Sequence, residues 1–410
     1  MRIVWLKTEL LHPIDKGGKI RTYQMLRELR REHEVTYLTL DDGQAAPDAL
    51  ERASEYAHEV IRIPFRQSPK RTPRFYAELA RNVVSPLPFA IAKYRSPEMR
   101  AAIRSLLQRG EADVLVCDFL FPSINVDRDI PCPTVLFQHN VEAAIWARHA
   151  QVASHPLKKM YFGEQWRRMR SFEGAECRRF DHVVAVSLED EETFRRDYGV
   201  QQVSNVPTGV DTDYFRRSRT REPRPNSLVF TGSMDWLPNE DAITFFAREV
   251  LPLVRAQVPD VTVTVVGRNP PAHIRALAAE TPGIRVTGSV PDVRPYLEEA
   301  SAFIVPIRIG GGTRLKIYEA MAMELPVVST TIGAEGLPLR PGVDAMIADE
   351  PAAFASAVVS VLRDPAQASF IGRNAAERVR REFSWQRVAA AFGEICEAVT
   401  SQHRPEQLPV

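Results

Sequence analysis

Short apolar, β-branched runs alternate along the chain with longer segments whose apolar residues recur at helical spacing. In the first half the short runs are Ile3–Leu6, Glu34–Leu40, Asp113–Cys117, Thr134–Phe137 and His182–Val186, with helical patterns over Ile20–Glu32 and Glu98–Gln108 between them. Runs apolar on both faces and separated by helices predict a parallel sheet covered on both sides. The alternation restarts at Leu228-Val229-Phe230-Thr231-Gly232, followed by a helix over Asp241–Val254 that carries Ile243, Phe246, Val250 and Val254. Strands over Val261–Gly267, Ile284–Gly288, Ala302–Pro306 and Pro326–Thr330 then alternate with helices over His273–Glu280, Val293–Ala300, Arg314–Met323 and Ala352–Leu362. The restart predicts two α/β domains, residues 1–206 and 227–384, joined by a linker over 207–226. A last helical pattern over 385–401, with Trp385, Val388, Phe392 and Ile395 in phase, is expected to pack back on the first domain.

Composition narrows the function classes. With 410 residues, 44% hydrophobic and 26% charged, the chain has ample material for large cores, which excludes disorder as its main state. Its 53 Lys and Arg against 52 Asp and Glu leave a net charge of +1, so bulk charge does not hold it to nucleic acid. Cys117, Cys132, Cys177 and Cys396 show no C-x-x-C spacing, neither a disulfide framework nor a zinc site, and fit a reducing cytoplasm. No apolar run approaches the roughly 18 residues that cross a bilayer. The amino-terminal run, cut by Lys7, reads as a first strand and not a signal peptide.

The most informative stretch runs from Pro306 to Ala322. A strand ends, Gly310-Gly311-Gly312 follows, and a helix starts at Thr313, whose side chain suits an N-cap. Glycines let backbone N–H groups approach an anion, and the helix start adds unpaired donors and roughly half a positive charge. Arg314 and Lys316, either side of Leu315, place cations against the helix dipole, which makes sense if a phosphate sits between them and the helix end. The alternative is an ordinary turn with a solvated basic first turn; the spacing is not that of a Walker A loop. Glu319 could accept hydrogen bonds from a ribose diol, or pair structurally with Lys316.

Together with Phe230-Thr231-Gly232-Ser233, Thr287-Gly288-Ser289-Val290, Gly209-Val210-Asp211 and Glu319-Ala320-Met321-Ala322, this stretch resembles the retaining nucleotide-sugar glycosyltransferases of the GT-B fold, specifically glycosyltransferase family 4. The resemblance covers nearly the whole chain. It implies two Rossmann-like, doubly wound parallel-sheet domains facing a central cleft. A nucleoside diphosphate sugar would be bound mainly by the C-terminal domain, with closure over it and over an acceptor held by the N-terminal domain. It implies no metal and no cofactor beyond that co-substrate.

The family's late glutamate, a donor ribose ligand, aligns with Glu319, while Gly311 stands where the E-x7-E signature has its first glutamate. Ser233 stands near the expected diphosphate-clamping Arg, so Arg314 and Lys316 are assigned the missing charge. Lys16-Gly17-Gly18-Lys19-Ile20-Arg21 matches the family's Gly-Gly loop: Gly17 and Gly18 permit close backbone approach to the donor phosphates and Arg21 adds charge, the alternative being a plain turn before a helix. His139, after strand Thr134–Phe137, matches an active-site histidine near sugar and phosphate, where it donates to an oxyanion or orients the acceptor. Glu142 is a candidate for acceptor hydroxyls, as is Asp118, for which capping a loop is an equal alternative. Gly267, Arg268 and Val290 end C-domain strands where the family holds the base. Ser187-Leu188-Glu189-Asp190 reads as a helix cap.

Val83–Arg104 and Trp166-Arg167-Arg168-Met169-Arg170 are candidates for a basic, apolar face towards lipid-linked acceptors at the inner membrane surface, against a solvated helix or a core cover. The reading is a retaining hexosyltransferase acting from a nucleotide sugar on a glycan or lipid-linked acceptor in polysaccharide or glycoconjugate biosynthesis. Two others stay open: a non-catalytic nucleotide-sugar-binding or partner protein, and a nucleotide-sugar 2-epimerase.

Overall fold

The computed structural model describes residues 1–14, 16–69, 71–153, 155–218, 221–309 and 315–403. The chain divides into two compact units, Met1–Pro207 with the segment from Val388 onward, and Thr208–Arg387.

The first unit contains strands β1 (Arg2–Lys7), β2 (Glu34–Asp41), β3 (Glu59–Pro64), β4 (Val114–Asp118), β5 (Thr134–Phe137), β6 (His182–Ala185) and β7 (Val203–Asn205), in spatial order β3-β2-β1-β4-β5-β6-β7. Every pairing is parallel; Ile3 lies between Val35 and Val114 in register. Ile3, Val4, Trp5 and Leu6 are all buried, so β1 presents apolar side chains to helices on both faces. The second unit repeats the plan with β8 (Ser227–Thr231), β9 (Thr262–Val266), β10 (Ile284–Val286), β11 (Ala302–Val305), β12 (Val327–Ser329) and β13 (Met346–Ile347), in order β10-β9-β8-β11-β12-β13. In each sheet the chain starts in the middle, winds to one edge, then resumes on the other side of its first strand. The carboxyl ends of β1 and β4, and of β8 and β11, are therefore switch points where connections diverge and leave room for a ligand.

The pattern of apolar residues leaves out several elements. β3 lies at a sheet edge, its apolar residues interrupted by Arg62 and only Ile63 buried, and β7 and β13 are very short. The helix Pro156–Arg179 was not visible because its inward stripe is largely polar: Gln165, Arg168, Met169, Glu173 and Cys177. The expected helix over Asp241–Val254 begins earlier, at Leu237, and is interrupted by a π-helical turn over Phe246–Val250. Pro252 lies just beyond; it has no N–H for the regular ladder, which accounts for the irregularity.

Ser187 caps its helix, accepting from Asp190 N at 3.1 Å. The expected linker is tied down where it begins: Val210 N donates to Phe383 O at 2.8 Å and Val210 O accepts from Trp385 N. The last helix, Trp385–His403, sends Phe392 against Trp5 and Phe137. No helix among the described residues is long and apolar enough to cross a membrane.

Candidate active site

Two clusters form, one at the switch point of each sheet. In the first unit the cluster grows from Lys7. A lysine closing a buried strand must find a counter-charge, and Asp118 at the end of neighbouring β4 supplies it. Asp118 is 0% exposed. Its Oδ2 accepts from Lys7 Nζ at 2.8 Å, Thr22 Oγ1 at 2.6 Å and Trp5 Nε1 at 3.0 Å. Its Oδ1 lies 2.7 Å from His139 Nε2. Burial acts to raise the Asp118 pKa, but Lys7 and His139 outweigh it and hold the carboxyl below its usual range. Burial pulls His139 down to about 3 against the attraction of Asp118, so the imidazole is neutral at neutral pH.

Phe119, the next residue, has φ +69°, a left-handed conformation for a bulky side chain, and marks this corner as over-determined. The turn stacks its ring on His139, centroids 3.8 Å apart, with Lys7 Nζ 4.2 Å from its face. Gly18 leaves room for this stack: a Cβ would lie 2.9 Å from Phe119 Cζ and would push the ring aside. Gly17 has open space where its Cβ would be. Arg21, buried on the same helix, Gly17–Leu29, has its guanidinium pulled down to about 10 by burial, opposed by Asp118 and Asp190.

Glu142 opens the helix Glu142–Val152, where no side chain of the preceding residue caps the exposed N–H groups. Glu173 does so from the neighbouring long helix, accepting from Glu142 N at 2.7 Å, Ala143 N at 3.0 Å and Tyr198 Oη at 2.9 Å. The buried Glu142 carboxyl is pushed up to about 8 by burial and by the nearby Glu173, which burial raises to about 7.

In the second unit, Lys316 on the helix Leu315–Ala322 reaches across to the end of β8. Its Nζ donates to Thr231 O at 2.8 Å and Asn239 Oδ1 at 3.0 Å, and lies 4.0 Å from the Phe230 ring. Asn239 also donates to Ser233 O at 2.8 Å, which shapes the turn after Gly232. A Cβ on Gly232 would meet Lys316 Nζ at 3.0 Å, so glycine leaves that ammonium group room. Exposed Arg268 donates from Nε to Ser233 Oγ at 2.8 Å, joining the ends of β8 and β9. Glu319, one turn after Lys316 and half-buried, is pushed up to about 7 by burial, partly offset by Lys316. Leu315 is half-buried at the helix start, and half-buried Val290 packs on the core beyond β10.

Gly17, Gly18, Arg21, Asp118, His139 and Glu142 thus sit around the carboxyl ends of β1, β4 and β5. Gly232, Gly267, Arg268, Lys316 and Glu319 sit around those of β8, β9 and β11. Gly311, Gly312, Thr313 and Arg314 lie outside the described residues. Sequence reasoning missed Lys7, Thr22, Phe119, Glu173 and Asn239. Lys7 had been read only as the end of an apolar run; a cation directly after a strand buried on both faces was the available signal. In the basic stretch Trp166–Arg170, Arg168 and Met169 turn inward, because Arg168 donates to Asn82 O and Val83 O; Trp166, Arg167 and Arg170 remain exposed.

Comparison with known proteins adds three kinds of similarity. A family model described as Glycosyltransferase Family 4 matches residues 16–214, and one described as Glycosyl transferases group 1 matches residues 225–364; together they span most of the chain. Over 306 residues the chain is 28% identical to the glycogen synthase of Mycobacterium tuberculosis, covering 70% of this chain and 69% of that enzyme. Over 293 residues it is 25% identical to the lipopolysaccharide core biosynthesis mannosyltransferase LpcC of Rhizobium leguminosarum bv. viciae, covering 65% of this chain and 78% of that protein. The fold matches the crystal structure of Anabaena HepE in complex with UDP and glucose with a TM-score of 0.64 at 14% identity, over 97% of this chain and 100% of that one.

Proposed function

Because the chain belongs to the group 1 glycosyltransferases of family 4, we propose that it transfers a hexosyl unit from a nucleoside diphosphate sugar to a hydroxyl of a glycan or lipid-linked acceptor, with retention at the anomeric carbon. The observation that carries the reading is Lys316, whose ammonium is held at the carboxyl end of β8 beside Gly232. A leaving diphosphate gains negative charge as the glycosidic bond breaks, and a fixed cation lowers that barrier more than it stabilises the bound donor.

In this reading Lys316 and Arg314 neutralise the diphosphate without a metal ion. Gly232 and Gly267 allow its close approach, Glu319 accepts from the ribose hydroxyls, and Arg268 and Val290 flank the base. In the first unit Gly17, Gly18 and Arg21 face the phosphates. His139 serves the reacting centre and Glu142 the acceptor hydroxyls. The leaving phosphate oxygen takes the acceptor proton on the same face, so the protein contributes positioning and charge rather than a strong base. The protein acts in the cytoplasm and touches the membrane peripherally. Val83 and Val84 (68% and 89% exposed) with Leu157 and Met160 (65% and 69%) face the bilayer, and Arg81, Lys158 and Lys159 meet anionic headgroups.

The test is a thermal-shift screen with uridine, guanosine and adenosine diphosphate sugars, followed by product analysis over an acceptor panel. Stabilisation by one donor class and a product with the donor's anomeric configuration are expected; no response to any donor, or an inverted product, rejects the reading. A second reading, sugar-nucleotide binding without turnover, is favoured by Gly311 in place of the family's glutamate. Donor binding with neither transfer nor hydrolysis across the panel would select it.

A further inference from the structure

Glu142 and Glu173 are two buried carboxyls at one helix start, and they differ in what surrounds them. Glu173, 0% exposed, is saturated with donors: Oε1 accepts from Glu142 N at 2.7 Å and Gln138 Nε2 at 3.4 Å, and Oε2 accepts from Ala143 N at 3.0 Å and Tyr198 Oη at 2.9 Å. Two of those donors are the first N–H groups of the helix Glu142–Val152, whose dipole favours an anion there. Glu142 is 6% exposed, and among the described residues no donor and no cation meets its carboxyl. The charge that acts on it is Glu173, which is lined by Gln138, Cys177 and Tyr198 and has Asp190 as a further negative neighbour. Two carboxyls so poorly hydrated do not both ionise, and one proton stays with the pair. The donors decide where. A carboxylate at 173 accepts all four, whereas an acid there would set its own O–H against them.

We propose that Glu142 meets the acceptor as an uncharged acid whose O–H donates to an acceptor oxygen, and that Glu173 is the positioning residue that holds the opposing charge. Glu142 on this account does not take the acceptor's proton. An uncharged acid also admits a phosphate-bearing acceptor that a carboxylate would repel. The role towards the acceptor rests on the transferase reading; the protonation state does not.

The experiment is infrared spectroscopy of the full-length protein, with transfer to the acceptor followed over pH. The wild type is expected to show a protonated-carboxyl band at neutral pH that is missing in Glu142→Gln and fades as pH rises through about 8. No band, or one that persists in Glu142→Gln, overturns the proposal. Acceptor kcat/KM of the wild type should fall together with the band. In Glu142→Gln, whose NH2 group still donates, that alkaline fall should be absent, and kcat/KM at neutral pH should exceed that of Glu142→Ala by about 10-fold. A Gln variant no better than the Ala variant, or one that keeps the alkaline fall, overturns the role. Glu173→Gln removes the opposing charge, so the band should fade at lower pH, and an unmoved band overturns the part given to Glu173. Should that variant not fold, the comparison of wild type with Glu142→Gln still decides. Where nothing is transferred, the role towards the acceptor falls together with the transferase reading, whereas transfer without the band overturns the proposal alone.

Discussion

The carbonyl oxygen of Gly232 lies 1.8 Å from the position a Cβ would take on Gly267. The ends of β8 and β9 approach so closely there that only a hydrogen fits, and the obstacle is backbone, which cannot rotate aside. Gly267→Ala should therefore push the two strand ends apart. A destabilisation of about 1–3 kcal/mol is expected in urea unfolding, together with weaker nucleoside diphosphate binding by calorimetry. Wild-type values for both would mean the two strand ends have slack.

Lys316 lies where a diphosphate is assigned, with its ammonium fixed by Thr231 O and Asn239 Oδ1. Lys316→Met keeps much of the apolar stem and removes the charge. Nucleoside diphosphate affinity should fall roughly 10- to 100-fold, with a shallower dependence on salt than in the wild type. Unchanged calorimetric affinity, in this variant and with Arg314→Ala added, would remove the clamp.

Glu319 is proposed as the acceptor for ribose hydroxyls, a task a carboxylate does best, and burial raises its pKa to about 7. The ionised fraction grows as pH rises through that value, so donor affinity should increase between pH 6 and 8. Glu319→Gln should raise donor KM roughly 10-fold at pH 8 and abolish the pH dependence. A variant that kept the wild-type pH profile would show that another group titrates.

The first unit contains groups that shift in opposite directions. Glu142 and Glu173 are raised to about 8 and 7, so above the unfolded carboxylate value the native state holds extra protons. Their stabilisation is present in acid and lost as pH climbs through 7 to 8. His139, lowered to about 3, holds fewer protons than the unfolded chain up to about pH 6.5, so its effect raises stability with pH and is complete above that value. Between pH 6.5 and 8 this carboxyl pair, and Glu319 in the second unit, make stability fall with pH. Glu142→Gln should flatten the decline in urea stability over that interval, and an unaltered slope would contradict the burial of Glu142.

Val83 and Val84 stand exposed where Arg168 fixes the end of the helix Pro73–Asn82. Replacing both with Glu, or Lys158 and Lys159 with Glu, should abolish co-sedimentation with vesicles rich in anionic lipid while leaving transfer to a soluble acceptor intact. Equal sedimentation of wild type and variants would place the membrane contact elsewhere.

The strands β1, β4, β5, β8 and β11 were legible in the amino-acid sequence because their central residues are buried on both faces, which leaves a nearly unbroken apolar run, and β9 because Val263, Val265 and Val266 mark it despite Thr262 and Thr264. The glycines of the site were legible for a related reason: Gly18, Gly232 and Gly267 end or follow those runs, where a backbone must approach something closely. The helix Pro156–Arg179 was not, because Gln165, Arg168 and Glu173 occupy its inward stripe and are satisfied by partners far away in the chain. Glu173 in particular caps a helix that starts thirty-one positions earlier, and no local pattern encodes that.

The sequence by itself determined the two-sheet plan, the strand ends at which chemistry could gather, and the supply of residues there, since these follow from periodicity and from where glycine interrupts it. Only the tertiary structure decided which of those residues meet substrate and which serve one another. Lys7, Asp118 and His139 are separated by more than a hundred residues at the extremes, and their charges, protons and exposure are set by a contact that exists only once β1, β4 and β5 lie side by side.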